Sequence, residues 1–175
     1  MGRGIAQVSV EGGAEVRLFD AQAGAAGKAA EFIRQMVDRA VAKGTRTTAE
    51  AAVLAGRLSI VDTLEALADC DLVVEAIVEN LEEKKATYAA LDKVVQPGAI
   101  FASNTSSLTV TQLAMATSRP SRFVGLHFFN PVPVMKLVEV VRTLLTDDSV
   151  LAEIDAFCRA LGKTPVACKD NSGFI

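Results

Sequence analysis

The chain alternates between short apolar runs rich in β-branched residues and longer stretches whose apolar residues recur at helical spacing. Val16–Phe19, broken by Arg17 and ended by Asp20, reads as a short strand. From Ala21 to Lys43 the chain is Ala-rich, with Phe32, Ile33, Met36, Val37, Ala40 and Val41 along one side of an amphipathic helix that Gly44 stops. Thr47 and Glu50 have capping-box spacing and open a shorter helix through about Ala55, before a strand at Leu58–Val61. Leu72–Val78 is nearly all apolar, the pattern of a strand buried on both faces. Asn80 can cap the next helix, which ends before Pro97-Gly98. A strand at Ala99–Ala102 and a helix over Thr109–Thr117 follow. Phe123–Phe128 and Lys136–Val141 read as two strands joined by a turn containing Pro131 and Pro133. A helix from about Ser149 to Ala160, closed by Gly162, leads to a last strand at Thr164–Cys168.

Strands that alternate with helices predict an α/β fold with a mainly parallel, doubly wound sheet. Met1–Val8 reads as the start of a helix with no strand and no full G-x-G-x-x-G fingerprint before it, so the expected sheet lacks its first strand. A flexible N-terminus is the other reading of that segment.

Composition narrows the function classes. The 175 residues suit one domain; 50% are hydrophobic and 22% charged, which excludes a disordered chain. With 18 Lys+Arg against 21 Asp+Glu the net charge is −3, which offers no basic footprint for nucleic acid. Mean hydropathy is +0.31. Yet the long uncharged stretch Val94–Ser118 is interrupted by Gln96, Pro97, Gly98, Asn104 and many hydroxyl residues, so no membrane partner is expected. Met1-Gly2-Arg3-Gly4 lacks the apolar region of a signal peptide. Cys70, Cys158 and Cys168 are odd in number and widely spaced, the pattern of reduced thiols in a cytoplasmic protein rather than of disulfides or a metal site.

Four features could carry chemistry. Asp20 ends a strand roughly 20 residues after the N-terminal turn, where an acid can accept hydrogen bonds from both ribose hydroxyls of NAD; an ordinary strand-end turn is the alternative. His127 is the single histidine and suits proton transfer near neutral pH. Glu139 is an acid in an otherwise apolar strand and needs a partner. If the two strands are neighbours, His127 and Glu139 can meet; a core histidine and a solvated glutamate are the alternative. Asn104-Thr105-Ser106-Ser107 follows a strand directly, where open α/β sheets bind ligands, though by itself the segment reads better as a helix N-cap cluster. Glu79, Glu82, Glu83, Lys84 and Lys85 read most simply as the solvated start of a helix.

Taken together, Val73–Asn80, Ser103–Ser107, the block from Gly125 to Glu139, and Lys169–Ile175 resemble the 3-hydroxyacyl-CoA dehydrogenases, including the 3-hydroxybutyryl-CoA type. The resemblance implies a Rossmann-type NAD-binding domain over residues 1–175 and NAD-dependent oxidation of (S)-3-hydroxyacyl-CoA in fatty-acid β-oxidation or related metabolism. It implies that His127 is the general base and Glu139 its orienting partner. By the same resemblance Ser106 lies near the reacting oxygen and the nicotinamide, touching both substrate and cofactor. It makes Asp20, Glu79, Lys84 and Asn130 cofactor contacts and Lys43 a contact to the CoA portion of an acyl-CoA substrate. Gly2 matches the third fingerprint glycine, where helix and strand approach closely. The family's catalytic asparagine and its helical C-terminal domain, through which a homodimer forms, lie outside this chain, so this length alone is expected to be weak or inactive. A β-hydroxyacid dehydrogenase with a lysine base and a non-catalytic, crystallin-like dinucleotide binder are the rival readings.

Overall fold

The computed structural model describes residues 1–171. Helix α1 (Gly2–Glu11) is followed by β1 (Val16–Leu18), α2 (Ala25–Ala42), α3 (Thr48–Gly56) and β2 (Leu58–Ile60). Then come β3 (Leu72–Glu75), α4 (Leu81–Val94), β4 (Ile100–Ser103), α5 (Val110–Ala114), β5 (Phe123–Phe128), β6 (Leu137–Arg142), α6 (Asp148–Ala160) and β7 (Thr164–Lys169). Strands β3-β4-β5-β6-β7 form one sheet in that order, parallel except where β6 reverses against β5. Strands β1 and β2 form a separate parallel pair. Among the described residues β1 pairs only with β2, and β3 only with β4.

Local chemistry explains most boundaries. The Thr47–Glu50 capping box forms reciprocally, with Glu50 N–H donating to the Thr47 hydroxyl at 3.2 Å and Thr47 N–H to the Glu50 carboxylate at 2.7 Å. Asn80 Oδ1 accepts from the N–H groups of Glu82 and Glu83 and so caps α4. Helix α2 starts at Ala25 rather than Ala21. The Asp20 carboxylate accepts the Gln22 N–H at 2.8 Å, and Gly24, at φ 78°, turns the chain into the helix. The run Leu72–Val78 is not one strand buried on both faces. It leaves the sheet after Glu75, and Ile77 and Val78 are exposed.

Two cores sandwich the large sheet. On one face Ile5 and Val8 of α1 and Val150, Ile154 and Cys158 of α6 pack on Ile100, Leu126, Phe128, Val138 and Val140. On the other, α4 and α5 cover Phe101, Phe123 and Val141. There Tyr88 meets Phe123 edge-on at 4.6 Å between ring centroids, a pair worth about 0.5–1.5 kcal/mol beyond its buried area. Ala6 and Val10 of α1 turn instead toward α2, α3 and Leu58, so one helix belongs to the cores of both sheets. Cys70, Cys158 and Cys168 are free thiols, and burial pushes Cys158 up to about 12, so it stays protonated. Among the described residues no helix is long and apolar enough to cross a membrane.

The sheet leaves no room at Gly125. A Cβ there would sit 2.7 Å from Val141 Cβ and 2.9 Å from Val110 Cγ2. Gly125→Ala is expected to cost about 1–3 kcal/mol in urea unfolding. Gly27→Ala, in α2 with nothing within 4 Å of its added carbon, is expected to gain about 0.4–1 kcal/mol. Equal unfolding midpoints for the two variants would refute this account of the packing.

Candidate active site

The turn and loop 129–136 that joins β5 to β6 is shorter than the dozen or so residues a parallel crossover requires, so the chain doubles back. The resulting register sets His127 opposite Glu139. Residues paired across an antiparallel sheet point to the same face. Leu126, Phe128, Val138 and Val140 take the α1/α6 core, which leaves His127 and Glu139 on the other face. His127 Nδ1 lies 2.6 Å from Glu139 Oε2, and the Phe129 ring stands 4.6 Å from the imidazole centroid. Glu139 is buried, while the His127 side chain keeps 17% of its surface open. An ionised Glu139 accepts from Nδ1–H, which fixes the tautomer and leaves Nε2 as the acceptor.

His127 opens onto a cleft of about 500 Å³ at the carboxyl ends of β3, β4 and β5, where ligands bind in open α/β sheets. Glu79, Asn104, Ser106 and Asn130 share its lining with Met1 and the apolar Ile77 and Val78. Asn104 Oδ1 accepts the Phe128 N–H at 2.9 Å and ties the loop after β4 to the end of β5. Helix α1 points its N-terminus at this end of the sheet through Met1, with no side-chain cap and no acid in its first turn. Such a terminus favours an anion.

Below the cleft lies a charge network that the linear sequence hid. Lys84 is 1% exposed, which corrects its reading as part of a solvated helix start. Its ammonium donates to Glu75 Oε1 at 2.6 Å and lies 3.3 Å from Glu79 Oε2. Glu75 is itself buried, and it also accepts from the Ile77 N–H at 2.7 Å and the Ser103 hydroxyl at 2.8 Å. The bond to Ile77 is what turns the chain out of β3. Burial and the Glu75 charge push the Tyr88 hydroxyl well up, so it stays neutral and donates to Ala102 O at 2.9 Å. Burial pushes Glu79 up, but donors outweigh it. The Thr105 hydroxyl, the Ser106 N–H at 2.9 Å and Lys84 together hold its carboxyl below the ordinary range.

The structure thus gathers Glu79, Ser106, His127 and Asn130 around one cleft, with Glu139 and Lys84 behind them. Asp20 and Lys43 lie on the β1–α2 unit instead, both exposed and outside the lining. At Gly2 an added Cβ would meet only Ala76 Cβ at an ordinary 3.8 Å, so close packing does not explain that glycine. Gly4 is the tight position, 3.0 Å from Val132 Cβ. Reasoning from the sequence also missed Glu75 and Lys163. Glu75 carried the same signal as Glu139, an acid inside an apolar run. Lys163 carried none: its ammonium donates to Val132 O and to Met135 O at 2.8 Å, fastening the turn after His127.

Residues 1–171 match the family model described as the NAD-binding domain of 3-hydroxyacyl-CoA dehydrogenase. A probable 3-hydroxybutyryl-CoA dehydrogenase of Bacillus subtilis is 42% identical over all of this chain and 61% of its own length. A mitochondrial hydroxyacyl-coenzyme A dehydrogenase of Rattus norvegicus is 44% identical, covering all of this chain and 58% of its own. The solved 3-hydroxybutyryl-CoA dehydrogenase of Escherichia coli K12 superposes with a TM-score of 0.96 at 42% identity, over all of this chain and 37% of that one. For the (S)-3-hydroxybutyryl-CoA dehydrogenase of Ralstonia eutropha the values are 0.95 and 39%, over all of this chain and 62% of that one. The chain spans about three fifths of the length of the curated relatives it matches.

Because Glu79 is held below its ordinary value, its ionised form stabilises the folded loop. That contribution is complete above the pKa of an unfolded glutamate and is lost as pH falls through the lower folded value. Urea unfolding followed across this acid range should show the difference between parent and Glu79→Gln shrinking as pH drops. A difference independent of pH would remove the Glu79 charge from the loop's stability.

Proposed function

The chain belongs to the family of 3-hydroxyacyl-CoA dehydrogenase NAD-binding domains, and on that premise we propose that it serves the NAD-dependent oxidation of (S)-3-hydroxyacyl-CoA to 3-oxoacyl-CoA. The observation that carries this reading is the 2.6 Å pairing of His127 with Glu139 at the mouth of the cleft. The donor set suits the dinucleotide. Hydroxyl, amide and carboxylate groups line one cleft, an uncapped helix terminus stands beside it, and Asp20 follows β1. When bound, NAD supplies the hydride acceptor.

The chain's own residues do the rest. His127 Nε2 takes the proton of the substrate 3-hydroxyl as hydride departs from C3. Glu139 holds the imidazole through Nδ1 and stabilises the imidazolium that forms, as a buried carboxylate can. Ser106, exposed on its loop with its N–H fixed to Glu79, donates a hydrogen bond near the reacting oxygen and the nicotinamide. Asn130 and Glu79 orient the cofactor from the cleft wall, and Lys84 acts from behind through Glu79. Gly2 and its helix terminus face the pyrophosphate, Asp20 binds the adenosine ribose, and Lys43 meets the CoA portion. We assign residues 1–175 to the NAD-binding domain, and dimerisation to a helical domain beyond it. The free thiols favour a reducing compartment, which we take to be the cytoplasm.

In the full natural protein, His127→Gln is expected to lower kcat by roughly 10²–10⁴ with acetoacetyl-CoA and NADH while leaving NADH affinity nearly unchanged. Glu139→Gln should lower kcat in the same direction; an unchanged kcat would take Glu139 out of the mechanism. The parent should prefer NADH to NADPH. Asp20→Ala should narrow that preference by about tenfold, the worth of one hydrogen bond to a charged group of roughly 1.5 kcal/mol. A parent that favours NADPH would overturn the role given to Asp20.

A further inference from the structure

Glu75 does not line the cleft, yet it is the more deeply buried of the two carboxylates that face Lys84. Its side chain is 2% exposed and accepts from three donors. It stands on β3, accepts from Lys84 of α4, accepts from Ser103 of β4, and accepts from the N–H of Ile77 two residues on. Three of its roughly four lone-pair sites are therefore occupied, from three different parts of the chain, and this holds the carboxylate in one place. Lys84 has no comparable freedom either, being buried to 1%.

Glu79 differs: 37% of its side chain is open, and its two oxygens do different jobs. Oε2 faces the Lys84 ammonium at 3.3 Å, while Oε1 collects the Thr105 hydroxyl, the Ser106 N–H at 2.9 Å and, more distantly, the Ser107 hydroxyl at 3.4 Å. Lys84 thus divides one positive charge unequally between two carboxylates, the shorter bond going to the buried one. At the same effective dielectric the pair at 2.6 Å is about 1.3 times as strong as the one at 3.3 Å, so both carboxylates hold the ammonium and Glu75 holds it more firmly. The sharing leaves Glu79 anchored loosely enough from behind to keep its other oxygen on the serine loop.

We propose that Glu75 is a positioning residue for the cofactor site: by holding Lys84 it sets the place of Glu79, and through Glu79 the place of Ser106. Without the Glu75 charge, the buried ammonium has Glu79 as its one close carboxylate among these two and draws it inward, off Thr105 and Ser106. Uncompensated burial of an ammonium is costly, so this movement is strongly driven. The proposal rests on the dehydrogenase reading only for its cofactor readout; the movement of the loop stands without it.

The test uses Glu75→Gln, which keeps size and removes charge, in the full natural protein. Amide hydrogen exchange without cofactor should show the Ser106 amide exchanging about tenfold faster relative to the amides of β6. The Kd for NADH should rise by about tenfold, and kcat at saturating NADH should fall by less. Adding Lys84→Met to Glu75→Gln removes the stranded ammonium and should restore slow Ser106 exchange. If Glu75→Gln does not fold, Glu75→Asp, which keeps the charge but draws it back from Lys84 by one methylene, should speed Ser106 exchange by a smaller factor. Unchanged Ser106 exchange, or an equal rise at Ser106 and in β6, overturns the proposal. A parent that does not bind NADH refutes the dehydrogenase reading, and the exchange result then decides this one alone.

Discussion

Residues 129–136 are too few to cross the sheet, and β6 therefore has to lie back against β5. That reversal sets Val138 and Val140 on the same core as Leu126 and Phe128, and burying those four fixes the register, because a slip of β6 by one residue would turn Val138 and Val140 to the opposite face. The meeting of His127 with Glu139 is a consequence of that apolar requirement. The dyad is positioned by hydrophobic burial on the face it does not occupy. Lys163 reinforces the reversal by donating to two carbonyls of the connecting turn. Burial lowers its ammonium from the usual lysine range, a cost that the carbonyl bonds offset.

The second organising device is ionic. Glu75, Lys84 and Glu79 lie along a path that runs from the interior to the cleft wall, with Glu75 and Lys84 buried and Glu79 37% exposed at its outer end. Buried ions are poor sources of stability because desolvation consumes most of their attraction. Their value is directional: each carboxylate oxygen here has a designated donor. The network links β3, β4, α4 and the serine loop, and so ties a loop at the protein surface to buried groups. Arg119 does similar work away from the cleft, pairing with Asp92 at 2.7 Å and bonding the carbonyls at the end of α4.

Much of the architecture was legible in the chain itself. The strand and helix order, the capping box at Thr47, the cap at Asn80, the stop at Gly162 and the reversal between β5 and β6 all follow from residue type and spacing, because turns, caps and periodicity are local physics. The His127–Glu139 pair was legible as one of two readings, beside a core histidine and a solvated glutamate, and the antiparallel pairing of β5 with β6 decided between them. Other features were decided only by the tertiary structure. Leu72–Val78 is apolar throughout except for Glu75, and periodicity could not reveal that this carboxylate would bend the chain away and leave Ile77 and Val78 exposed. Lys84 looks like any lysine in a charged first turn, and only the packing of α4 over β3 and β4 buries it. Which face of a helix meets a sheet, and which carboxylate waits there, depends on contacts between residues distant in sequence. A linear pattern records what each segment prefers, and the ionic partners were settled when the segments packed.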